Sequence, residues 1–262
     1  MEPRINRPPR LVPGDVRRVI ALGASNLTRG FQTVVATARA AWGPEVEVWA
    51  ALGHGRSYGS ESRLLVRRLP GILDSGLWRR LDAAPKLPTR ALLTDVGNDI
   101  LYGFSASQIL AWVDEALSGL QGYTADIEMT DLPLASIRKL SRPKFQAFRS
   151  VLVPSCRLSL EQVLEVAERV DDGLARLAEA RGARFFRLKA EWYGFDPIHI
   201  KPTLWRRAWQ DILGAQDAAT PSMLEALRLY LLWPEQQWLF GVEQHTPQAG
   251  TRLRRGARVW LY

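Results

Sequence analysis

One feature constrains this chain more than any other: short apolar runs alternate with stretches of helical periodicity over about 200 residues. Val19–Leu22 is a buried-strand run that stops at Gly23. Phe31–Trp42 then places Phe31, Val34, Val35 and Ala38 on one helical face and ends at Gly43-Pro44. Val46–Leu52 is the second strand, followed by a glycine-rich loop, Gly53–Gly59. Leu64–Trp78 reads as a helix interrupted at Pro70-Gly71. Ala91–Val96 is the third strand. Ser105 opens a helix with a stripe of Ile109, Trp112, Val113, Ala116, Leu117 and Leu120. Ile127–Leu132 is the fourth strand, and Pro133 to Pro154 reads as an irregular basic segment. Ser159 with Gln162 starts the longest helix, which Gly182 ends. Arg184–Leu188 is the fifth strand and Pro202–Leu213 the last helix of the unit.

Strands alternating with helices predict a parallel sheet covered on both faces. With right-handed crossovers, this is a three-layer α/β/α sandwich around a central five-stranded parallel sheet. Ligands of such sheets sit at the carboxyl ends of the strands. Residues 1–16 read as a loose Pro/Arg arm and 17–215 as the α/β domain. Residues 216–262 break the alternation. This extension holds a leucine-rich helix, Met223–Trp233, and apolar clusters around Trp238 and Trp260. It is too apolar to float free, so it packs on the domain or on a second copy, and a homodimer through it stays open.

Composition narrows the class. The chain has 262 residues, 47% hydrophobic and 24% charged, as in ordinary globular proteins. No apolar run approaches the ~20 residues of a membrane span. The first residues carry proline and charge but no apolar core, so they do not read as a secretory signal, and we expect a cytoplasmic protein. A single cysteine, Cys156, excludes an internal disulfide and a cysteine-rich metal site; three histidines argue against a multi-histidine one. The net charge of +8 raises nucleic-acid binding. The arginines are scattered, however, and no nucleic-acid-binding signature accompanies them. A solvated basic surface accounts for the charge, and no nucleic-acid partner is expected.

Four segments carry chemistry, three of them directly after a strand. In Gly23-Ala24-Ser25-Asn26-Leu27 a serine follows the first strand on a tight turn into a helix. That placement suits a nucleophile, and equally a turn or capping serine. In Gly53-His54-Gly55-Arg56-Ser57-Tyr58-Gly59 glycines let the backbone approach a ligand. In Thr94-Asp95-Val96-Gly97-Asn98-Asp99 an asparagine can offer a neutral amide donor at a strand end. In Asp196-Pro197-Ile198-His199 a carboxylate three residues before a histidine can fix the imidazole tautomer. Asp95 and Asp131 each follow a threonine at neighbouring strand ends. They suit paired acid–base work or a cation, and also the capping of nearby N–H groups.

Taken together, and in this order, the segments resemble the SGNH (GDSL-like) hydrolase superfamily. Its first block resembles Gly23–Leu27, with Ala24 in place of the aspartate. Its second-block glycine is most similar to Gly55, with Gly53 as the alternative. Its third block resembles Gly97-Asn98-Asp99, without the spacer between glycine and asparagine. Its D-x-x-H block is intact as Asp196 to His199. The resemblance covers about residues 17–215. It implies a flavodoxin-like sandwich, a small-molecule ester substrate, covalent catalysis and no cofactor or metal. By that resemblance Ser25 is the nucleophile, His199 the base and Asp196 its orienting acid. The oxyanion donors are the N–H groups of Ser25 and Gly55 and the amide of Asn98. Asn26, Arg56 and Asp99, beside these residues, are candidate substrate-binding groups. A catalytically inactive relative that binds a ligand or partner in the same cleft is the alternative.

Overall fold

The computed structural model describes residues 16–153, 156–215, 218–254 and 256–262, with only the backbone of 151–152. The expected arm lies outside these residues except for Val16.

The parallel sheet forms from β1 (Arg17–Leu22), β2 (Val46–Ala51) and further strands introduced below in chain order. Between the first two lie α1 (Ser25–Arg29) and α2 (Phe31–Trp42). After β2, the expected helix over 64–78 is replaced by a hairpin, β3 (Ser62–Leu64) and β4 (Arg67–Leu69), and a short α3 (Leu77–Asp82). The turn of that hairpin holds Leu65 at φ +55°. Then follow β5 (Thr89–Leu93), α4 (Asn98–Leu101), α5 (Ala106–Gln121) and β6 (Ile127–Thr130). The segment expected to be irregular is helical: α6 (Leu134–Ile137) and α7 (Arg142–Leu152), the latter with proline in its first turn, where a missing N–H costs nothing. Then come α8 (Leu160–Arg181), β7 (Arg184–Phe186) and α9 (Trp205–Leu213). The extension supplies α10 (Met223–Tyr230), β8 (Gln236–Leu239), β9 (Val242–His245), β10 (Thr251–Arg252) and β11 (Arg258–Leu261).

The main sheet has seven strands in the order β10-β11-β2-β1-β5-β6-β7. The five expected strands are parallel to one another. The extension adds two more: β11 runs parallel to β2, and β10 closes the edge antiparallel. Hairpin β8–β9 pairs with β4 to make a second, four-stranded antiparallel sheet.

The two faces of the main sheet can be read from β1. Ile20 and Leu22 point to a core shared with α5 and α8, while Val19 and Ala21 point to one shared with α2 and α9. Two capped helices set the outer layer. Ser105 caps α5, and Ser159 with Gln162 forms the reciprocal capping box of α8. This packing leaves the carboxyl ends of β1, β2, β5 and β7 opening to one side, where the four motif segments meet. Among the described residues no helix is long and apolar enough to cross a membrane.

Candidate active site

Ser25 opens α1 directly after β1, and its side chain meets the loop that follows β7. Nε2 of His199 lies 2.9 Å from Oγ of Ser25. Nδ1 of His199 lies 2.6 Å from Oδ2 of Asp196. The His199 N–H also donates to Oδ1 of Asp196, at 3.2 Å, so one carboxylate fixes both ring and backbone. Ser25 and His199 are buried, at 8% and 6% exposure. Burial pushes the Asp196 carboxyl up, but the hydrogen bond and charge of His199, the Ile198 N–H and Arg29 together hold it below its usual range.

Asp95 holds the start of α1. One of its oxygens accepts the N–H groups of Ala24 and Leu27, each at 3.0 Å, and the other accepts Nδ2 of Asn26 at 2.9 Å. Asp95 sits at φ +61°, a left-handed conformation that asparagine and aspartate tolerate better than most residues. Asp131 accepts the Leu188 N–H at 2.7 Å. The two carboxylates therefore cap loops, as one reading of the sequence had it.

The oxyanion candidates lie on two loops joined by Tyr102. The Tyr102 hydroxyl donates to the carbonyl of Gly55, and its N–H donates to the carbonyl of Asn98. Gly55 has φ +68°, and a Cβ there would stand 2.9 Å from the Tyr102 hydroxyl, so both backbone and space call for glycine. The side-chain amide of Asn98 has no hydrogen-bond partner among the described residues, and it lines the same cavity as Ser25.

The three residues expected to bind substrate are each hydrogen-bonded within the protein. Asn26 spends its amide on Asp95, on the carbonyl of Ile198 and on the Ile200 N–H. Arg56 is fully buried and donates to the carbonyls of Leu52, Pro70 and Tyr262. Asp99 is buried beneath the second loop and accepts the Tyr58 N–H at 3.0 Å. Burial pushes its carboxyl up to about 6, against the lowering effect of hydrogen bonds from Ser57 and Tyr58. Arg56 and Asp99 lie fully buried beneath the site, whereas Asn26 also lines the cavity beside Ser25.

The cavity beside Ser25 runs beneath α6 and α7. Its walls include Leu132, Ile137, Leu140, Phe145, Phe148 and Val163. Phe148 packs on Phe195 with ring centroids 5.8 Å apart, which ties α7 to the His199 loop. The basic look of residues 133–157 hid this role. The only sequence signal was Phe145 and Phe148 spaced three apart in a polar run. The aromatic tail residue Trp233 lines a different recess, together with Arg29 and His54.

No protein-family model matches this chain, and no curated protein matches it. Solved structures do. One crystal structure aligns over 76% of this chain and 96% of its own, at 18% identity and a TM-score of 0.53. Another, of the psychrotrophic esterase EstA from Pseudoalteromonas sp. inhibited by monoethylphosphonate, aligns over 75% of this chain and 96% of its own, at 13% identity and a TM-score of 0.45. The first likeness is one of fold: a mixed α/β protein with a mostly parallel central sheet flanked by helices.

Proposed function

We propose that this protein is a serine hydrolase of the SGNH type that cleaves a carboxylic ester through a covalent acyl-enzyme. The observation that carries the reading is the continuous hydrogen-bonded chain Ser25–His199–Asp196, with links of 2.9 and 2.6 Å. These residue types in this order form a nucleophile, a base and an orienting acid.

Oγ of Ser25 attacks the ester carbonyl while Nε2 of His199 takes its proton. The ionised Asp196 holds the ring and stabilises the imidazolium. The oxyanion is met by the N–H of Ser25, the N–H of Gly55 and the amide of Asn98. As the intermediate collapses, the ester C–O bond breaks and His199 returns the proton to the leaving alcohol. Water, deprotonated by His199, then releases the acid and regenerates Ser25. The apolar cavity under α7 takes the acyl chain.

A fluorophosphonate probe followed by mass spectrometry tests this. The expected result is an adduct on Ser25 of the wild type and none on Ser25→Ala, with hydrolysis of p-nitrophenyl acyl esters lost in parallel. A folded wild type that is neither labelled nor active would overturn the reading in favour of a ligand-binding protein.

A further inference from the structure

A second recess is lined by the end of α1, Thr28 and Arg29, where the acyl cavity is lined by its start, Ser25 and Asn26. Its lining includes Arg29, His54 and Arg67, and the exposed apolar residues Leu227, Tyr230 and Trp233. The basic residues of this lining are short of partners. Nε of Arg67 donates to the neutral Gln237 at 2.8 Å, and Arg67 has no carboxylate partner among the described residues. Arg29 has only a loose contact with Asp196, 3.7 Å from guanidinium to carboxylate, and that carboxylate is already committed to His199. His54 makes no hydrogen bond among the described residues. Burial, and then the charges of Arg29 and Arg67, push its imidazole down to about 4, so at neutral pH it is an uncharged donor. A partly buried guanidinium such as that of Arg67, with no carboxylate partner among the described residues, is costly unless a ligand supplies a counter-ion.

We propose that this recess receives the alcohol half of the substrate, and that the alcohol carries an anionic group, phosphate or carboxylate, held by Arg29 and Arg67 with His54 as a neutral hydrogen-bond donor. The assignment to the alcohol half rests on the esterase reading above. The leaving oxygen must take its proton from His199, so the alcohol passes beside the ring. Arg29 reaches Asp196 at 3.7 Å, so the recess that it lines with His54 and Arg67 adjoins the Asp196–His199 pair. The acyl half already has its cavity, lined by the start of α1 and by α7. Guanidinium groups match planar carboxylate or phosphate oxygens two at a time, which gives such a site direction as well as charge.

The test has two arms. In the first, binding of glycerol 3-phosphate, of glycerate and of glycerol is measured by calorimetry on the whole protein. The anions bind and glycerol does not, Arg67→Gln weakens the anions at least about tenfold, and Arg67→Lys restores part of the loss. The stronger of the two anions distinguishes a phosphate from a carboxylate site. In the second, kcat/KM is compared for one acyl chain esterified to glycerol 3-phosphate and to glycerol. The ratio favours the anionic ester in the wild type and falls at least about tenfold in Arg67→Gln. Ser25 labelled by fluorophosphonate with no anion binding and equal kcat/KM values would overturn this proposal and leave the esterase reading standing. Anion binding lost in Arg67→Gln, with Ser25 unlabelled, would keep the anion site and overturn the esterase.

Discussion

Ile200 donates its N–H to Oδ1 of Asn26 at 2.8 Å across 174 residues of sequence. On its other side the same amide reaches the carbonyl of Ile198 and the carboxylate of Asp95. One side chain thus fixes the distance between the helix that carries Ser25 and the loop that carries His199. Asn26→Ala should lower kcat about 10- to 100-fold with little change in KM, and lower stability by about 1–3 kcal/mol, since it leaves the Ile200 N–H unpaired. Asn26→Asp should be worse than Ala, because a carboxylate would then face Asp95. Steady-state kinetics with thermal melts decide both points, and an Asp variant healthier than the Ala variant would contradict the bonding pattern.

Ser25→Ala and His199→Ala should each abolish all but residual hydrolysis, and the double variant should be no worse than either one. Residues that act as a unit do not add. A double variant far slower than both singles would argue that Ser25 and His199 work separately.

Val163 faces the apolar cavity from α8. Val163→Phe should fill it. Hydrolysis of p-nitrophenyl esters with acyl chains of about eight carbons should fall at least tenfold, while the acetate stays within about threefold. Each excluded methylene forfeits about 0.8 kcal/mol of burial. Uniform loss across chain lengths would place the acyl group elsewhere.

Gly55→Ala should cut kcat/KM about 10²-fold, the typical cost of one lost oxyanion donor. The new methyl must either push the Tyr102 hydroxyl away or shift a loop held at φ +68°. Tyr102→Phe combined with Gly55→Ala relieves the clash but not the backbone conformation, so it should recover only part of the activity.

Asp99 gives a signature in stability against pH. Its carboxyl stands at about 6 in the folded protein and near 3.8 when unfolded. Between those values the folded state binds the extra proton. Its contribution is therefore fully present below pH 3.8 and lost as pH rises to 6, at most about 3 kcal/mol. Asp99→Asn keeps an acceptor for the Tyr58 N–H and does not titrate. Relative to the wild type, the variant should gain about 2–3 kcal/mol in chemical denaturation between pH 4 and pH 7. A constant difference across that range would show that Asp99 is not raised. Asp131, pushed up to about 6 chiefly by burial, titrates in both proteins and cancels.

The parallel sheet and the Ser25, Asn98 and Asp196–His199 positions were legible because each depends on local pattern. A strand end, a glycine turn and a three-residue spacing are all visible in short windows. The neighbours of those residues were not. Asn26 follows Ser25 and Asp99 follows Asn98, and one step along a helix turns a side chain by about 100°. The side chain beside a group that faces the cleft therefore finds its hydrogen-bond partners in the surrounding loops. The β3–β4 hairpin was invisible for a different reason. Arg67 and Arg68 find their partners in Leu239 and Trp238, about 170 residues further on, and no local periodicity records that pairing.

The parallel pairing of β11 with β2, Arg258 opposite Glu47, has a consequence for how the chain is made. On the ribosome, the open edge of β2 must wait for about 210 more residues. At about 5–20 residues per second that is roughly 10–40 seconds during which an apolar strand edge stays unpaired. Slowing translation upstream of residue 258 should then increase aggregation, and shortening the chain before β11 should do so most of all.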